Sequence, residues 1–337
     1  FSTRQNPPLL ECDPLIAGRY LCDALGKRTS SILGLSLVYD SLDNRYRPTR
    51  GRSSSVSFDF AGLGGSVKYF RVRTNSAAYF PVMKGFVFSL RWEGGAIAPL
   101  NKESATPGAE AVRLTDRFYL GEPQLRGFDI RGVGPRVIRK FLNVDSNGDG
   151  VADSFSPNRD EWQDDALGGR FYYLAHAELE IPLGSGAREM GIRPSLFLDA
   201  GAVWSIKSPK LTDTRDVDGD GVVDNPGGNV FIASRDENGL PYYTVTCNGT
   251  ATTAGSSTAP TLPTTCVGTG DGVQALGSNT AFREFFLGNS WKPRVAVGIG
   301  FNWNSPFGPF RLDFAKTLLK QPGDDTKSFT FNVGTQF

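Results

Sequence analysis

The stretch Lys327-Ser-Phe-Thr-Phe-Asn-Val-Gly-Thr-Gln-Phe337 at the end of this chain decides the fold. Every second position from 329 onward is apolar or β-branched, and these positions are Phe329, Phe331, Val333, Thr335 and Phe337. The positions between them are small or polar, namely Thr330, Asn332, Gly334 and Gln336. A strand of a transmembrane β-barrel has this pattern, because its outer face contacts lipid and its inner face contacts water. The stretch therefore predicts a membrane-spanning strand that runs to a terminal aromatic residue.

Eight further segments repeat this two-residue alternation, at roughly the ten-residue length that a membrane-spanning strand needs. The clearest segment, 83–97, sets Phe86, Phe88, Leu90 and Trp92 against Ser89, Arg91 and Glu93. The nine predicted strands cover residues 31–42, 53–61, 66–80, 83–97, 170–183, 193–206, 292–304, 308–319 and 327–337. We therefore predict an all-β fold, a transmembrane antiparallel β-barrel to which this chain contributes nine strands.

The connections between the predicted strands form two sets that alternate along the chain. One set is short throughout and comprises residues 43–50, 81–82, 184–192 and 305–307. The other set comprises residues 62–65, 98–169, 207–291 and 320–326. Barrels of this kind have short periplasmic turns and longer external loops. We therefore predict that 98–169 and 207–291 are two long extracellular loops, and that residues 1–30 are an extracellular loop with a short helix.

The composition excludes several classes of protein. The 337 residues carry a net charge of +1, so nothing indicates a nucleic-acid partner. No run of about 18 apolar residues occurs, which excludes a transmembrane helix. The sequence contains no nucleophile elbow, phosphate loop or catalytic dyad, so we expect no enzyme. Single-chain bacterial barrels have an even number of strands, so we expect further strands to precede these nine.

Four cysteines occur as two close pairs, Cys12 with Cys22 and Cys247 with Cys266, each in a predicted loop. Four cysteines allow three pairings. The local pairing is favoured because each loop could then close independently, and disulfides would indicate an oxidising compartment. The alternative is four free thiols.

Three segments of the chain carry a resemblance to a known family. They are Gly121-Glu-Pro-Gln-Leu-Arg-Gly-Phe-Asp-Ile-Arg-Gly-Val-Gly-Pro135, Leu196-Phe-Leu-Asp-Ala-Gly-Ala-Val-Trp204 and Trp303-Asn-Ser-Pro-Phe-Gly-Pro-Phe-Arg-Leu-Asp-Phe-Ala315. In this order, and with the terminal Phe337, they resemble the C-terminal barrel of the BamA family of outer-membrane protein assembly factors. The resemblance covers residues 31–337 and implies a 16-stranded barrel behind periplasmic POTRA domains. This chain would supply its last nine strands.

The resemblance also implies a function in the bacterial outer membrane. In such a barrel the first and last strands meet at a weak seam, a lateral gate, where nascent β-barrel proteins pair before they insert. The gate strand here would be 327–337, with Phe329, Phe331, Val333 and Phe337 on its outer face. The implied partners are nascent outer-membrane β-barrel proteins, accessory periplasmic lipoproteins and outer-membrane lipid. No cofactor and no ATP are implied for this function.

The Arg126-Gly127-Phe128 motif carries the site that the resemblance implies. In the family this loop folds into the barrel lumen and its arginine pairs with carboxylates of the wall, which here would be Glu180 and Asp199. The strand alternation independently directs both carboxylates inward. A guanidinium fork between two carboxylates would be a structural latch. The alternative is that both carboxylates are only solvated lumen residues.

Two acidic stretches in the long loops share one spacing. They are Asp145, Asn147, Asp149 and Asp153 in the first loop, and Asp216, Asp218, Asp220 and Asp224 in the second. Oxygen ligands at positions 1, 3, 5 and 9, with Gly at position 6, can wrap around Ca²⁺. Ser156 and Gly227 stand where an EF-hand has Glu, so the pattern resembles the shorter calcium loops of thrombospondin type 3 and dockerin repeats. We predict structural calcium; the alternative is a polar turn.

Two alternatives to the assembly factor stay open. One is a related translocation or assembly barrel, either TamA-like or a two-partner secretion transporter, and the segment Arg126-Gly-Phe-Asp-Ile-Arg-Gly-Val-Gly-Pro135 favours the BamA type over it. The other is a passive porin-like surface barrel with calcium-binding loops. A porin would need an open lumen without an inward arginine latch.

Overall fold

The structure of this protein is a computed structural model. It describes residues 2–5, 8–11, 18–101, 110–144, 146, 154–184, 191–209, 242–248, 250–255, 260–268, 272–275, 282–305 and 308–333. The chain forms two compact units, and most of the described residues belong to the second. The first unit contains Phe1–Asp23, Ile138–Asp164 and Lys210–Phe285, and the second contains Ala24–Val137, Asp165–Pro209 and Phe286–Phe337.

A nine-stranded antiparallel sheet forms the second unit. Its strands are β3 (Ile32–Asp40), β4 (Gly51–Ala61), β5 (Tyr69–Met83), β6 (Phe86–Pro99), β10 (Phe171–Glu180), β11 (Ile192–Trp204), β16 (Arg294–Ser305), β17 (Gly308–Leu319) and β18 (Phe329–Val333). Each strand pairs with its neighbours in chain order, and β3 and β18 form the two edges. The nine predicted strands are thus confirmed, in an up-and-down order, and the sheet of this chain is not closed.

The two faces of the sheet differ as the alternation predicts. On β11, Leu196 and Leu198 are each 46% exposed on the outer face, whereas Phe197 and Asp199, at the alternate positions, are buried. The outer face therefore presents apolar side chains, as a lipid-facing surface does. The inner face packs against the loop segment from Leu120 to Val133. A cluster of apolar side chains from that segment and from three strands fills this interface: Leu120, Leu125, Phe128, Val133, Leu174, Val203 and Ala296.

The last strand begins two residues later than predicted. Strand β18 covers Phe329–Val333 of the predicted 327–337, and residues 334–337, including Phe337, lie outside the described residues. At its other end the strand begins later because the backbone N–H of Lys327 donates to the Gly127 carbonyl oxygen at 3.2 Å. The backbone there is paired with a loop and does not continue the ladder with β17.

The regions predicted as long loops contain secondary structure of their own. Short strands there are β7 (Arg136–Val144), β8 (Ser154–Phe155), β9 (Gln163–Ala166), β12 (Tyr242–Cys247), β13 (Thr250–Gly255), β14 (Gly272–Ala275) and β15 (Phe282–Leu287). They form one sheet of order β15-β7-β8, with β9 against β7, and another of order β13-β12-β14. Two 3₁₀ turns occur at Leu114–Asp116 and Arg159–Glu161. The long loops are thus partly structured in the described residues, and the sequence analysis did not identify these short strands.

The N-terminal segment contains a hairpin and a short helix. Strands β1 (Ser2–Gln5) and β2 (Pro8–Glu11) pair with each other, and helix α1 covers Arg19–Ala24. Among the described residues, no helix has the length and apolar character required to cross a membrane.

Candidate functional site

The loop segment 121–135 reaches the inner face of the sheet through Gly127. This residue has φ +87°, in the left-handed region that favours glycine. A Cβ at this position would lie 2.8 Å from Cβ of Ala296 and 3.3 Å from Cβ of Ala315. The backbone therefore lies against β16 and β17 so closely that only glycine fits without displacement. This contact explains why a glycine stands between Arg126 and Phe128.

The two neighbours of Gly127 anchor the loop in different ways. The side chain of Phe128 is fully buried in the apolar cluster on the inner face. The Arg126 side chain is also buried, although it is charged, and its guanidinium lies 3.6 Å from the centre of the Phe197 ring. A cation over an aromatic face is stabilised by the ring quadrupole, and more so when water is excluded.

Asp199 on β11 is the main partner of Arg126. The guanidinium Nε donates to Asp199 Oδ2 and Nη2 donates to Oδ1, both at 2.6 Å. The backbone N–H of Arg126 also donates to Oδ2, at 3.3 Å. Asp199 has no exposed surface. This bidentate pairing is the strong form of a charge-assisted hydrogen bond. Because both groups are buried, removal of either one would leave an unpaired buried charge and destabilise the fold.

A second arginine extends the site into a network. Arg126 Nη1 donates to Glu178 Oε2 at 3.0 Å, and Arg311 Nη2 donates to Glu178 Oε1 at 3.1 Å. Arg311 Nε also donates to Asp313 Oδ2 at 2.9 Å. The resulting cluster joins the loop to β10, β11 and β17. It holds two guanidiniums and three carboxylates, so each charge has an opposite neighbour.

The single histidine of the chain belongs to the same network. His176 Nδ1 lies 2.9 Å from Asp199 Oδ1, beside the Arg126 fork. His176 is thus a hydrogen-bonded residue of the inner face that contacts the same carboxylate oxygen as Arg126 Nη2.

Arg126 is held in its charged state. Burial opposes the charge, but the hydrogen bond to Asp199 and the charges of Asp199, Glu178 and Asp313 outweigh it, so the pKa of Arg126 is raised above its ordinary value. The arginine therefore acts as a permanent cation that fixes the loop. The arrangement can therefore hold the loop against the inner face of the sheet.

The predicted partner Glu180 is wrong, and Glu178 takes its place. Glu180 accepts from Arg47 at 3.3 Å and from Arg193 at 3.4 Å instead. The register explains the difference, because His176 is the residue opposite Asp199 on β10. Along β10, Glu178 lies two residues beyond His176, about 7 Å, whereas Glu180 lies four residues beyond it, about 14 Å. One guanidinium can span the first distance and not the second.

The outer face of the predicted gate strand has the predicted character. Phe329, Phe331 and Val333 are exposed and Thr330 between them is buried. In the sheet order of the described residues, β18 is an edge and pairs with β17 alone. The backbone N–H of Ala315 donates to the Ser328 carbonyl oxygen at 2.8 Å, so alternation directs the amides of Thr330 and Asn332 toward β17. The amides on the open edge are those of Phe329, Phe331 and Val333.

The remaining predicted residues are only partly described. All eight candidate calcium ligands, Asp145, Asn147, Asp149, Asp153, Asp216, Asp218, Asp220 and Asp224, lie outside the described residues, so the calcium sites stay a prediction. Within the described ranges, no group of three His, Cys, Asp or Glu side chains is placed to hold a metal. Cys247 and Cys266 form a disulfide. Cys22 is also disulfide-bonded, and Cys12 lies outside the described residues.

Besides Glu178, sequence reasoning missed Phe197, Arg311 and Asp313 as members of the site. Their alternation with outward apolar residues already directs them inward. A charged residue directed inward, within one of the segments that resemble the family, was the available signal for Arg311 and Asp313. Which inward charges meet depends on the register and on where the loop enters, and the sequence alone does not specify either.

Comparisons with known proteins agree with this geometry. A family model described as the Omp85 superfamily domain matches residues 13–337. The outer membrane protein assembly factor BamA of Neorickettsia risticii is 25% identical over 313 residues, which cover 93% of this chain and 28% of that protein. BamA of Neisseria meningitidis serogroup B is 25% identical over 297 residues, which cover 88% of this chain and 27% of that protein. The chain thus spans little more than a quarter of the length of these relatives.

A solved structure shows the same fold. The crystal structure of BamA from Haemophilus ducreyi lacking POTRA domains 1–3 matches with a TM-score of 0.50 and 21% identity. The match covers 89% of this chain and 41% of that chain. At this identity the likeness concerns the fold alone.

Proposed function

This chain belongs to the Omp85 superfamily, and from that membership we propose that it is part of a BamA-type assembly factor. The whole protein would fold β-barrel proteins and insert them into the bacterial outer membrane. Two relatives that align with most of this chain carry the name outer membrane protein assembly factor. The nine-stranded sheet is the barrel wall, and its location is the outer membrane.

The position of β18 is the observation that carries the proposal. In the described sheet this strand is an edge, and the amides of Phe329, Phe331 and Val333 face away from β17. An unpaired edge recruits another strand, because each free N–H and C=O gains a partner. In a membrane the gain is larger, since lipid offers these groups no alternative hydrogen bonds.

The proposed mechanism is edge templating. An incoming strand of an unfolded β-barrel protein, here called the client, adds to the open edge of β18 and is released into the membrane as its own sheet closes. The free energy comes from folding and from burial of apolar side chains in lipid, so the mechanism uses no cofactor, no ATP and no catalytic residue. Accessory periplasmic lipoproteins and outer-membrane lipid are the further partners that we propose.

A passive pore fits the structure less well. The loop segment that holds Arg126 lies against the inner face of the sheet, and its side chains fill the space beside β10, β11 and β16. A porin keeps its lumen open for water, whereas this network would restrict it. The arginine anchor therefore favours an assembly role over permeation.

The test uses the full-length protein in lipid vesicles and a urea-unfolded client. Folding of the client is followed by its shift in gel mobility without heating. We expect faster folding with the protein than with empty vesicles, and slower folding with Phe331→Pro than with Phe331→Ala. Both variants lose the exposed ring, but only proline removes an edge N–H while leaving the bonds to β17. Equal rates for the two variants would contradict edge templating at β18.

We also propose that the two acidic loop repeats bind structural calcium. The support is the shared ligand spacing in two independent copies, with Gly at the sixth position of each. Chelation with EDTA should increase proteolysis within 141–158 and 213–228 without unfolding the sheet. Unchanged cleavage of both loops in EDTA would refute calcium binding.

A further inference from the structure

The turn between β3 and β4 is held in shape by its own side chains. The Asp43 carboxylate accepts hydrogen bonds from the backbone N–H of Thr49 at 2.9 Å and from the Thr49 hydroxyl. Asn44 Oδ1 accepts from the backbone N–H groups of Tyr46 at 2.8 Å and Arg47 at 3.0 Å. Asp and Asn side chains that bond to nearby backbone groups fix the conformation of a turn. The turn therefore presents the Arg47 side chain in a defined direction.

This turn bends over the inner face of the sheet. Arg47 Nη2 donates to Glu180 Oε1 on β10 at 3.3 Å. Strands β5 and β6 lie between β4 and β10, so β4 and β10 are three strand spacings apart, about 14 Å. An arginine side chain is too short to span that distance by itself. The backbone of the turn therefore leaves the line of its own strands and covers part of the inner face.

Glu180 receives the turn together with an arginine of β11. Arg193 Nη1 donates to the other carboxylate oxygen of Glu180, Oε2, at 3.4 Å. The two arginines thus use different oxygens and do not compete. The Arg47 side chain is 55% exposed and that of Glu180 is 27% exposed. Ion pairs that are this accessible to water are weak, so this contact can open without loss of the sheet.

A polar cavity lies between the turn and the charged network around Arg126. Its volume is about 150 Å³, and Tyr46 and Arg47 of the turn line it. Glu178 and Arg311 of the network line it as well. The turn and the network therefore border the same space beside the inner face. The turn is a second obstruction along this face, in addition to the loop segment that carries the arginine.

We propose that residues 43–50 form a strap that narrows the barrel lumen at the short-turn end, and that the Arg47–Glu180 pair holds the strap closed. When the pair opens, the strap would move away from the inner face and ions would pass more readily. The inference goes beyond the proposed assembly function, because it concerns the passage of ions and does not involve β18.

The test measures the ion conductance of the full-length protein in planar lipid bilayers. Arg47→Gln and Glu180→Gln should each increase the mean conductance by about 2- to 5-fold, the range for loss of a partly exposed ion pair. The two variants change the net charge in opposite directions, so a shared increase would not be an effect of charge on ion flow. Arg45→Gln is the matched control. Arg45 lies in the same turn, but its Nε pairs with Asp40 Oδ2 of the same hairpin at 3.0 Å, and its replacement should leave the conductance unchanged.

A cross-link tests the closed position directly. The double variant Arg47→Cys with Glu180→Cys places two thiols across the contact, and the described residues contain no free cysteine that would compete. Without reagent this variant should show the raised conductance, since the ion pair is lost. A short bifunctional maleimide should then join the two cysteines and return the conductance to the wild-type value. The single variant Arg47→Cys, treated in the same way, should keep the raised conductance.

The outcomes separate the strap from the proposed gate. Unchanged conductance in both Arg47→Gln and Glu180→Gln would overturn the strap, and so would an equal increase in Arg45→Gln. An increase in the first two variants, together with reversal by the cross-link, would support it. The client folding assay with Phe331→Pro and Phe331→Ala does not depend on ion flow, so failure of the strap and failure of the gate are distinguishable.

Discussion

Replacement of Arg126 by Met should destabilise the sheet more than replacement of any partly exposed arginine of the inner face. The change removes both 2.6 Å bonds to Asp199 and the 3.0 Å bond to Glu178. Asp199, which has no exposed surface, would keep only the backbone N–H of residue 126 and His176. Removing one partner of a buried ion pair costs about 3–5 kcal/mol. We expect a loss of that size in the free energy of unfolding.

The matched control is Arg193→Met. Arg193 also faces the interior and also pairs with a glutamate, Glu180, but at 3.4 Å and with both side chains about a quarter exposed. Such pairs contribute about 0–1 kcal/mol. The two variants therefore differ in burial and geometry while sharing the chemical change.

A double variant separates a lost bond from an orphaned charge. Arg126→Met combined with Asp199→Asn removes the uncompensated carboxylate, so it should cost less than the sum of the single variants by about 1–3 kcal/mol. The assay is equilibrium urea unfolding of the full-length protein in vesicles, followed by tryptophan fluorescence. A cost below about 1 kcal/mol for Arg126→Met, or an equal cost for Arg193→Met, would refute the latch.

Three further predictions concern neighbouring features. Glu178→Gln should lower the free energy of unfolding by about 1.5–3 kcal/mol, because two buried arginines lose a charged acceptor. Glu180→Gln should lower it by only about 0–1 kcal/mol. The reverse order in urea unfolding would support Glu180 as the partner of Arg126. Gly127→Ala should lower the free energy of unfolding more than Gly64→Ala does. Both glycines have positive φ, but only at Gly127 would the added Cβ clash with neighbouring side chains. Equal unfolding midpoints for the two variants would contradict this. Hydrogen bonds from the Thr49 hydroxyl and nearby amides lower the pKa of the exposed Asp43 to about 2. The ionised Asp43 should therefore stabilise the fold fully above its unfolded-state pKa of about 3.9, and this contribution should disappear as the pH falls toward 2. An NMR titration midpoint of Asp43 near 3.9 would exclude this stabilisation.

The strands and their faces could be predicted because the physical requirement is local. A sheet between lipid and water needs apolar and polar side chains at alternate positions, so each segment specifies its own faces. Phe329, Phe331 and Val333 show this, since they are exposed where the alternation directs them outward. The start of the last strand was predicted two residues too early, because alternation does not show which backbone groups bond elsewhere.

The arrangement of the site depends on information that is not local. Asp199 was identified through the resemblance and by its phase, but Glu180 was chosen over Glu178 although both share a phase. Only the register between β10 and β11 distinguishes them. The Glu122–Lys327 pair joins residues 205 positions apart, and no pattern in either segment indicates the contact.

The most direct test of the central claim is a cross-linking measurement of strand register at β18. Full-length protein carrying Phe331→Cys is mixed with an unfolded client that has single cysteines along its final strand, and disulfide formation is scored for each client position. The account predicts cross-linking at one client position, and a shift by two residues when the protein cysteine is moved to position 329 or 333. Absence of cross-links, or cross-links that do not shift, would contradict client pairing with this edge.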